Sequence, residues 1–303
     1  MYAATIRGGW PKPIILAHNP RPEVHTALER WPDVTVETAS AHVEAQRNHG
    51  ADYIKLMQED CESLSWETNS VPAATFETQH AVIDAARQVG LTSVAHATSY
   101  DSTRLVLEAG VNGLAHTFFD RPHDDEIISL HVKTGAFVIP TLSVIASMTS
   151  EDAVLKDSFV AAATDCGILD EYSRELMLRS AGASAPGAKL QYAYDVVRQL
   201  CGAGVDIVAG TDAVAGLPGM AIGPSLWMEL EQYVLKCGMT AEQALRSATA
   251  TPARRLGFMD RGLIASGKRA DLVLVRGLPH NKLNRLWERG GIVQVWKQGL
   301  EAC

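Results

Sequence analysis

Short β-branched runs alternate with longer stretches of helical period along most of the chain, which predicts repeated βα units around a parallel sheet. Six strands are predicted: "PIILAHN" near Ile14, "ADYIKLM" to Met57, "TSVAHA" to Ala97, "NGLAHT" to Thr117, "AFVIPTL" to Leu142 and "VDIVAGTD" to Asp212. Several follow a helical pattern that ends in glycine, as in "AQRNHGADYIKL", "ARQVGLTSVAH", "LEAGVNGLAH", "KTGAFVIP" and "LCGAGVDIVAGTD". Glycine closes a helix at low cost because it tolerates left-handed backbone. From about Ser150 to Leu200 the helical pattern runs longer than one return helix needs, which predicts an insertion lying over one mouth of the sheet. After "GMTAEQALRSATATPARRLG", a helix pair capped at Thr240 with Glu242 nearby, "GLIASGKRADLVLV" and "IVQVWKQG" predict antiparallel strands of a small separate sheet. The expected division is a barrel-type domain over 1–258 and a C-terminal strand segment over 259–303.

A chain of 303 residues is too long for one small core and fits either one large α/β barrel or two ordinary domains. It is 47% hydrophobic and 20% charged, and no apolar run approaches the roughly 20 residues that cross a bilayer. No basic-apolar-cleavage pattern marks its start, so a soluble, cytoplasmic protein with no membrane partner is expected. The formal net charge is −8 with both signs interspersed, which lacks the basic face that nucleic acid requires and leaves small molecules as the expected partners. The cysteines, Cys61, Cys166, Cys201, Cys237 and Cys303, are odd in number and form no CxxC pair, so they are read as reduced thiols.

In a parallel α/β barrel, reactive groups sit at the carboxyl ends of strands, where loops build the binding face. Lys55 in "YIKLM", His96 in "VAHA", His116 in "LAHT" and Asp212 in "AGTDA" meet that condition. A lone histidine in such a place is usually a hydrogen-bonded core residue, but two at equivalent positions of adjacent strands point to a shared role. Neutral imidazole and carboxylate are common zinc ligands, and an inward-pointing Asp212 needs a cation or donors to offset its desolvation. A lysine inside a strand is costly to bury unless it is paired or has lost its charge.

From about Gly50 to Gly299, through "GADYIKLM", "VAHATSYDSTRLVLEAGVNGLAHT", "GAFVIPTL", "VAGTDA", "GMTAEQALRSATATPARRLG" and "GLIASGKRADLVLV", the chain resembles the amidohydrolase superfamily. The resemblance is to its imidazolonepropionase-like and prolidase-like branch of metal-dependent hydrolases. It implies a TIM-barrel-type (β/α)₈ fold with a small β-sandwich, to which "KRADLVLVRG" and "IVQVWKQG" would contribute. It implies further that Lys55 is carbamylated, that His96 and His116 are metal ligands, and that Asp212 binds metal and takes the proton of the attacking water.

The family also carries an HxH pair on its first strand, and none exists here: no two of the ten histidines are separated by one residue. By the family pattern the chain begins at about the third barrel strand, so the barrel is expected to be incomplete at its N-terminus. Unpaired strand edges then call for a partner chain, a reorganised edge or a longer parent protein, and a homo-oligomer is expected. Lys55, His96 and His116, with Asp212 as base or fourth ligand, would hold one zinc or other divalent ion per chain. His18 and His123 are candidates to replace the missing pair, each weighed against an ordinary surface or core role. Tyr100 and Gln58 are candidate substrate contacts, as is Trp227 in "SLWMELE", where relatives often have histidine. Glu59 is a candidate contact in the same way; Tyr100 has helix packing as its alternative, and Gln58 and Glu59, in the acidic "QEDCE" loop, have a solvated turn. The expected activity is hydrolysis of an amide, cyclic amide or lactone bond by metal-activated water. The alternative is a protein of the same ancestry, without metal, acting as a lyase, an isomerase or a binding or assembly protein.

Overall fold

The computed structural model describes residues 3–18 and 21–302. Cys303 and the side chain of His18 therefore lie outside the described residues. The chain forms two compact units, one over 1–138 with 184–188 and one over 139–183 with 189–303.

The first unit contains helices α1 (Lys12–His18), α2 (Pro22–Glu29) and α3 (Ala39–Asn48), then strand β1 (Tyr53–Met57), α4 (Phe76–Gln88), β2 (Thr92–His96), α5 (Tyr100–Glu108), β3 (Gly113–Ala115) and α6 (Asp125–Thr134). Strand β4 (Phe137–Ile139) completes a sheet ordered β1-β2-β3-β4, and the division between units falls after its Val138. β1 and β2 are parallel in the register Tyr53↔Thr92 to Met57↔His96, and β2 and β3 are parallel with His96 opposite Ala115. Along β1, Ile54 and Leu56 are buried while Tyr53, Lys55 and Met57 are half-buried, the alternation that a pleated strand imposes. Thr75, Ser99 and Asp124 each accept a backbone amide with their side chains at the starts of α4, α5 and α6. Gly135 closes α6 in left-handed conformation. At Gly113 a Cβ would fall 2.3 Å from the Phe137 ring, so only glycine lets that ring cross β3.

The strand expected at "PIILAHN" is instead helix α1. A short apolar run has no period of its own to distinguish the two states, and Pro11 and Pro13 sit at the helix start, where a missing amide hydrogen costs little. Pairing among the described residues links four strands in this sheet and does not extend to a closed barrel. Part of the outer edge of β1 is covered from within the chain, because the Ala4 amide donates to the Lys55 carbonyl and the Met57 amide to the Ala4 carbonyl.

The second unit contains α7 (Leu142–Thr149), α8 (Ala153–Asp165), α9 (Glu171–Leu178), α10 (Leu190–Gly202), α11 (Pro224–Leu235), α12 (Ala241–Ser247) and α13 (Ala250–Arg255). α7 packs on α10 and α11, and its Leu142 and Ile145 are fully buried. α12 starts with a capping box in which Thr240 and Gln243, rather than Glu242, satisfy each other's backbone amides. Strands β5 (Leu272–Val275), β6 (Ile292–Lys297) and β7 (Leu300–Glu301) form the expected antiparallel sheet. "VDIVAGTD", expected as a sixth strand, has a single bridge position at Ile207. Its polar groups are engaged elsewhere: the Ala209 amide donates to the Ser247 carbonyl, and Asp206 is held by Arg254 and Arg255. No described helix is long and apolar enough to cross a membrane.

Candidate functional site

His96 is the last residue of β2 and His116 the first beyond β3. His116 has φ of 80°, left-handed backbone that a non-glycine residue adopts at a cost. The two rings meet edge to face with centroids 4.8 Å apart, and both residues are buried. The Trp10 ring stacks on His96 at 5.9 Å, and Trp66 meets Trp10 edge-on at 6.1 Å. Apolar rings on that side and β2 beneath leave the imidazoles little access to water, so a proton on either is expensive.

The titration behaviour follows from that burial. His96 is lowered to about 3, chiefly by desolvation and secondarily by the positive charge of Lys55. His116 is lowered well below the usual histidine range, again by desolvation first, with His96 and Lys55 adding to it. Both rings are neutral at physiological pH, the state a metal ligand requires. Lys55, half-buried on β1, has its charge close enough to act on both.

Glu59, a candidate contact with a solvated turn as its alternative, is enclosed by the fold. It is 1% exposed rather than part of a solvated turn, and Gln58 and Cys61 beside it are buried as well. One Glu59 oxygen accepts from the Cys61 amide at 2.7 Å, and the other lies 2.7 Å from His96 Nε2 and accepts the Thr98 hydroxyl at 2.6 Å. Ser63 donates to Thr98 in turn. Burial pushes the Glu59 carboxyl up to about 7, against the Thr98 and backbone hydrogen bonds that lower it. Burial also disfavours the imidazolium, so His96 meets Glu59 as a neutral ring in a hydrogen bond. Cys61, pushed up to about 12 by burial, stays a thiol. The neighbouring Asp60 accepts from Ser99 and Ser102 and so ties the loop after β1 to the start of α5.

The other candidates divide by surroundings. Gln58 accepts from Gln79 Nε2 at 2.8 Å. Tyr100 is buried, with its hydroxyl committed to Asp124 and Arg121 over its ring. His123 is half-buried, and its Nδ1 has no hydrogen-bond partner among the described residues. Asp212 and Trp227 belong to the second unit. Trp227 is half-buried on α11. Asp212 is exposed, which corrects the expectation of a buried, inward-pointing carboxylate; its φ of 54° turns the backbone out of the extended run before it.

Among the described residues, no three histidine, cysteine, aspartate or glutamate side chains converge as a metal-holding group. The donor chemistry fits a metal centre on one condition. His96 and His116 supply two neutral imidazoles, and a third ligand arises if the Lys55 amine is converted to an anionic carbamate.

The amidohydrolase family model matches residues 12–301, and the chain belongs to that family. An adenine deaminase of Clostridium perfringens is 36% identical over 73 residues, 24% of this chain and 13% of that protein. An imidazolonepropionase of Deinococcus deserti is 32% identical over 102 residues, 34% of this chain and 25% of that protein. Among solved structures, a Xaa-Pro dipeptidase with bound methionine in its active site superposes with a TM-score of 0.67 and 25% identity, over 99% of this chain and 66% of that one. Phenylurea hydrolase B superposes equally well, at 0.67 with 18% identity over 99% of this chain and 67% of the other, which supports the α/β fold alone. The matched stretches thus span only an eighth to a quarter of those curated relatives.

Proposed function

We propose that this chain is a metal-dependent hydrolase that cleaves an amide, cyclic amide or lactone bond of a small molecule. The observation that carries the reading is the pair of buried, neutral imidazoles of His96 and His116, 4.8 Å apart at adjacent strand ends with Lys55 acting on both. A bound zinc or similar divalent ion would supply a Lewis acid and lower the pKa of a water to about 7. His96, His116 and carbamylated Lys55 are the residues to hold it, one ion per chain. Glu59 orients the His96 ring, and Thr98 and the Cys61 amide orient Glu59, the kind of outer support that ligand histidines ordinarily have. Asp212 is proposed as the group that accepts a proton and passes it to the leaving group. Tyr100, Gln58 and Trp227 are proposed substrate contacts. The reading includes a TIM-barrel-type fold, a boundary near 258, a homo-oligomer and a cytoplasmic location.

A second reading rests on one contact. His96 Nε2 is already engaged by Glu59, which suits a metal-free lyase, isomerase or binding protein of the same ancestry. Elemental analysis of the gel-filtered protein, after incubation with zinc or manganese and bicarbonate, separates the two. About one retained ion per chain, lost in Lys55→Ala and in the His96→Ala/His116→Ala double variant, is the expected result. Equal metal in wild type and the double variant overturns the metal reading.

A further inference from the structure

Away from the histidine pair, the second unit holds a cavity of about 420 Å³, within the range of small-molecule sites. Its floor is aromatic: Phe159 of α8 and Trp287 are 2% and 3% exposed, with ring centroids 5.7 Å apart and planes tilted by 60°. Its mouth is apolar, with Val154 of α8 81% exposed and Leu235 of α11 62% exposed. Among its charged groups, Asp152 and Lys236 satisfy each other at 3.0 Å, and Asp152 also accepts the Tyr194 hydroxyl. Glu231 is different. It faces the same cavity, and no described residue gives it a hydrogen bond or an ion pair. Burial alone shifts its carboxyl, and it shifts it upward. A carboxylate partly withdrawn from water and without a protein partner is unfavourable unless a cation or donor arrives to meet it.

We propose that this cavity binds a small organic amine, the ammonium paired with Glu231 and the apolar body laid against Phe159, Leu155 and Trp287. The lining chemistry selects that class. Asp152 and Lys236 cancel, so Glu231 leaves the cavity with one net negative charge, and the apolar side chains of the lining suit a hydrocarbon body. An anionic ligand would meet Glu231 unpaired, and a fully hydrated metal ion would gain nothing from the aromatic floor.

The test is calorimetric titration of the full chain with phenethylamine, its neutral analogue 2-phenylethanol and its anionic analogue 3-phenylpropanoate. The amine is expected to bind about tenfold or more tightly than the alcohol, and the acid not to bind. Glu231→Gln should cost the amine about that same factor and leave the alcohol unchanged. Ser158→Trp, an exposed position on the cavity wall, should abolish binding of both without affecting folding. Equal affinity for amine and alcohol, or an unaltered amine affinity in Glu231→Gln, overturns the proposal. So does the absence of amine binding to the wild-type chain.

Discussion

Glu59 in the first unit and Glu229 in the second are both buried to within 1% of full enclosure, and burial pushes both carboxyls up to about 7. Both accept backbone amides: Glu59 from Cys61, Glu229 from Leu142 at 2.8 Å and Ser143 at 2.7 Å. What surrounds them differs. Glu229 meets the first amides of α7, where the helix dipole favours negative charge, and the Ser143 hydroxyl beside it leads through Gln232 and Tyr194 to Asp152. That is a buried network that fixes how α7, α10 and α11 pack. Glu59 meets a histidine at a strand end, next to a second histidine in strained backbone. A perturbed carboxyl is thus shared by a packing network and by the proposed site, and its neighbours tell them apart.

The largest effects expected should separate these regions most sharply. Lys55→Ala, His96→Ala and His116→Ala should each reduce lactone or cyclic-amide hydrolysis to background and remove metal retention, with Asp212→Asn losing turnover but keeping the metal. Hydrolysis rates and elemental analysis on the same samples check this; metal lost in Asp212→Asn would make that carboxylate a required ligand. In the other region, Glu229→Ala should cost about 3 kcal/mol in urea unfolding, because it leaves a cavity and two buried amides unsatisfied. Glu229→Gln, which keeps an acceptor, should cost about 1 kcal/mol at pH 5, where the raised Glu229 carboxyl is protonated in the folded protein. Neither change should touch metal content, and if either does, the two regions are coupled. Glu59→Gln reverses the pattern: a loss of about 10- to 100-fold in metal affinity or activity, with a smaller change in stability.

Much of this comparison was legible in the sequence, though not all. β1, β2, β3 and β4 were readable because each follows a glycine-terminated helical stretch, and the glycine supplies a boundary that an apolar run alone lacks. His96 and His116 stood out for the same reason, at the ends of two such strands. α1 did not, since Ile14, Ile15 and Leu16 suit either state. Asp212 was misjudged because "VDIVAGTD" reads as a strand only if its amides find a ladder, and the Ala209 amide goes to the end of α12. Glu59 was marked only by its place after Lys55: its partners Thr98 and His96 lie 39 and 37 residues further on. Gln232 and Tyr194 likewise meet across 38 residues, and no periodicity encodes that pairing.

A separate effect is the pH dependence of stability in the Glu229 region. Its folded carboxyl is raised above the ordinary glutamate value, so the contribution is fully present below about 4.5 and is lost as pH rises through about 7. His131, buried on α6 and lowered to about 4, acts in the opposite direction, its contribution being present above about 6.5 and lost as pH falls toward 4. The two oppose each other in the wild-type profile, so the difference between wild type and Glu229→Gln isolates the glutamate. Urea midpoints at pH 5 and pH 8 should show the variant gaining on wild type by about 2 kcal/mol at the higher pH, because the amide carries no charge to bury. A parallel offset at both pH values would mean that Glu229 stays ionised in place, held by the Leu142 and Ser143 amides and the α7 dipole strongly enough to overcome its burial.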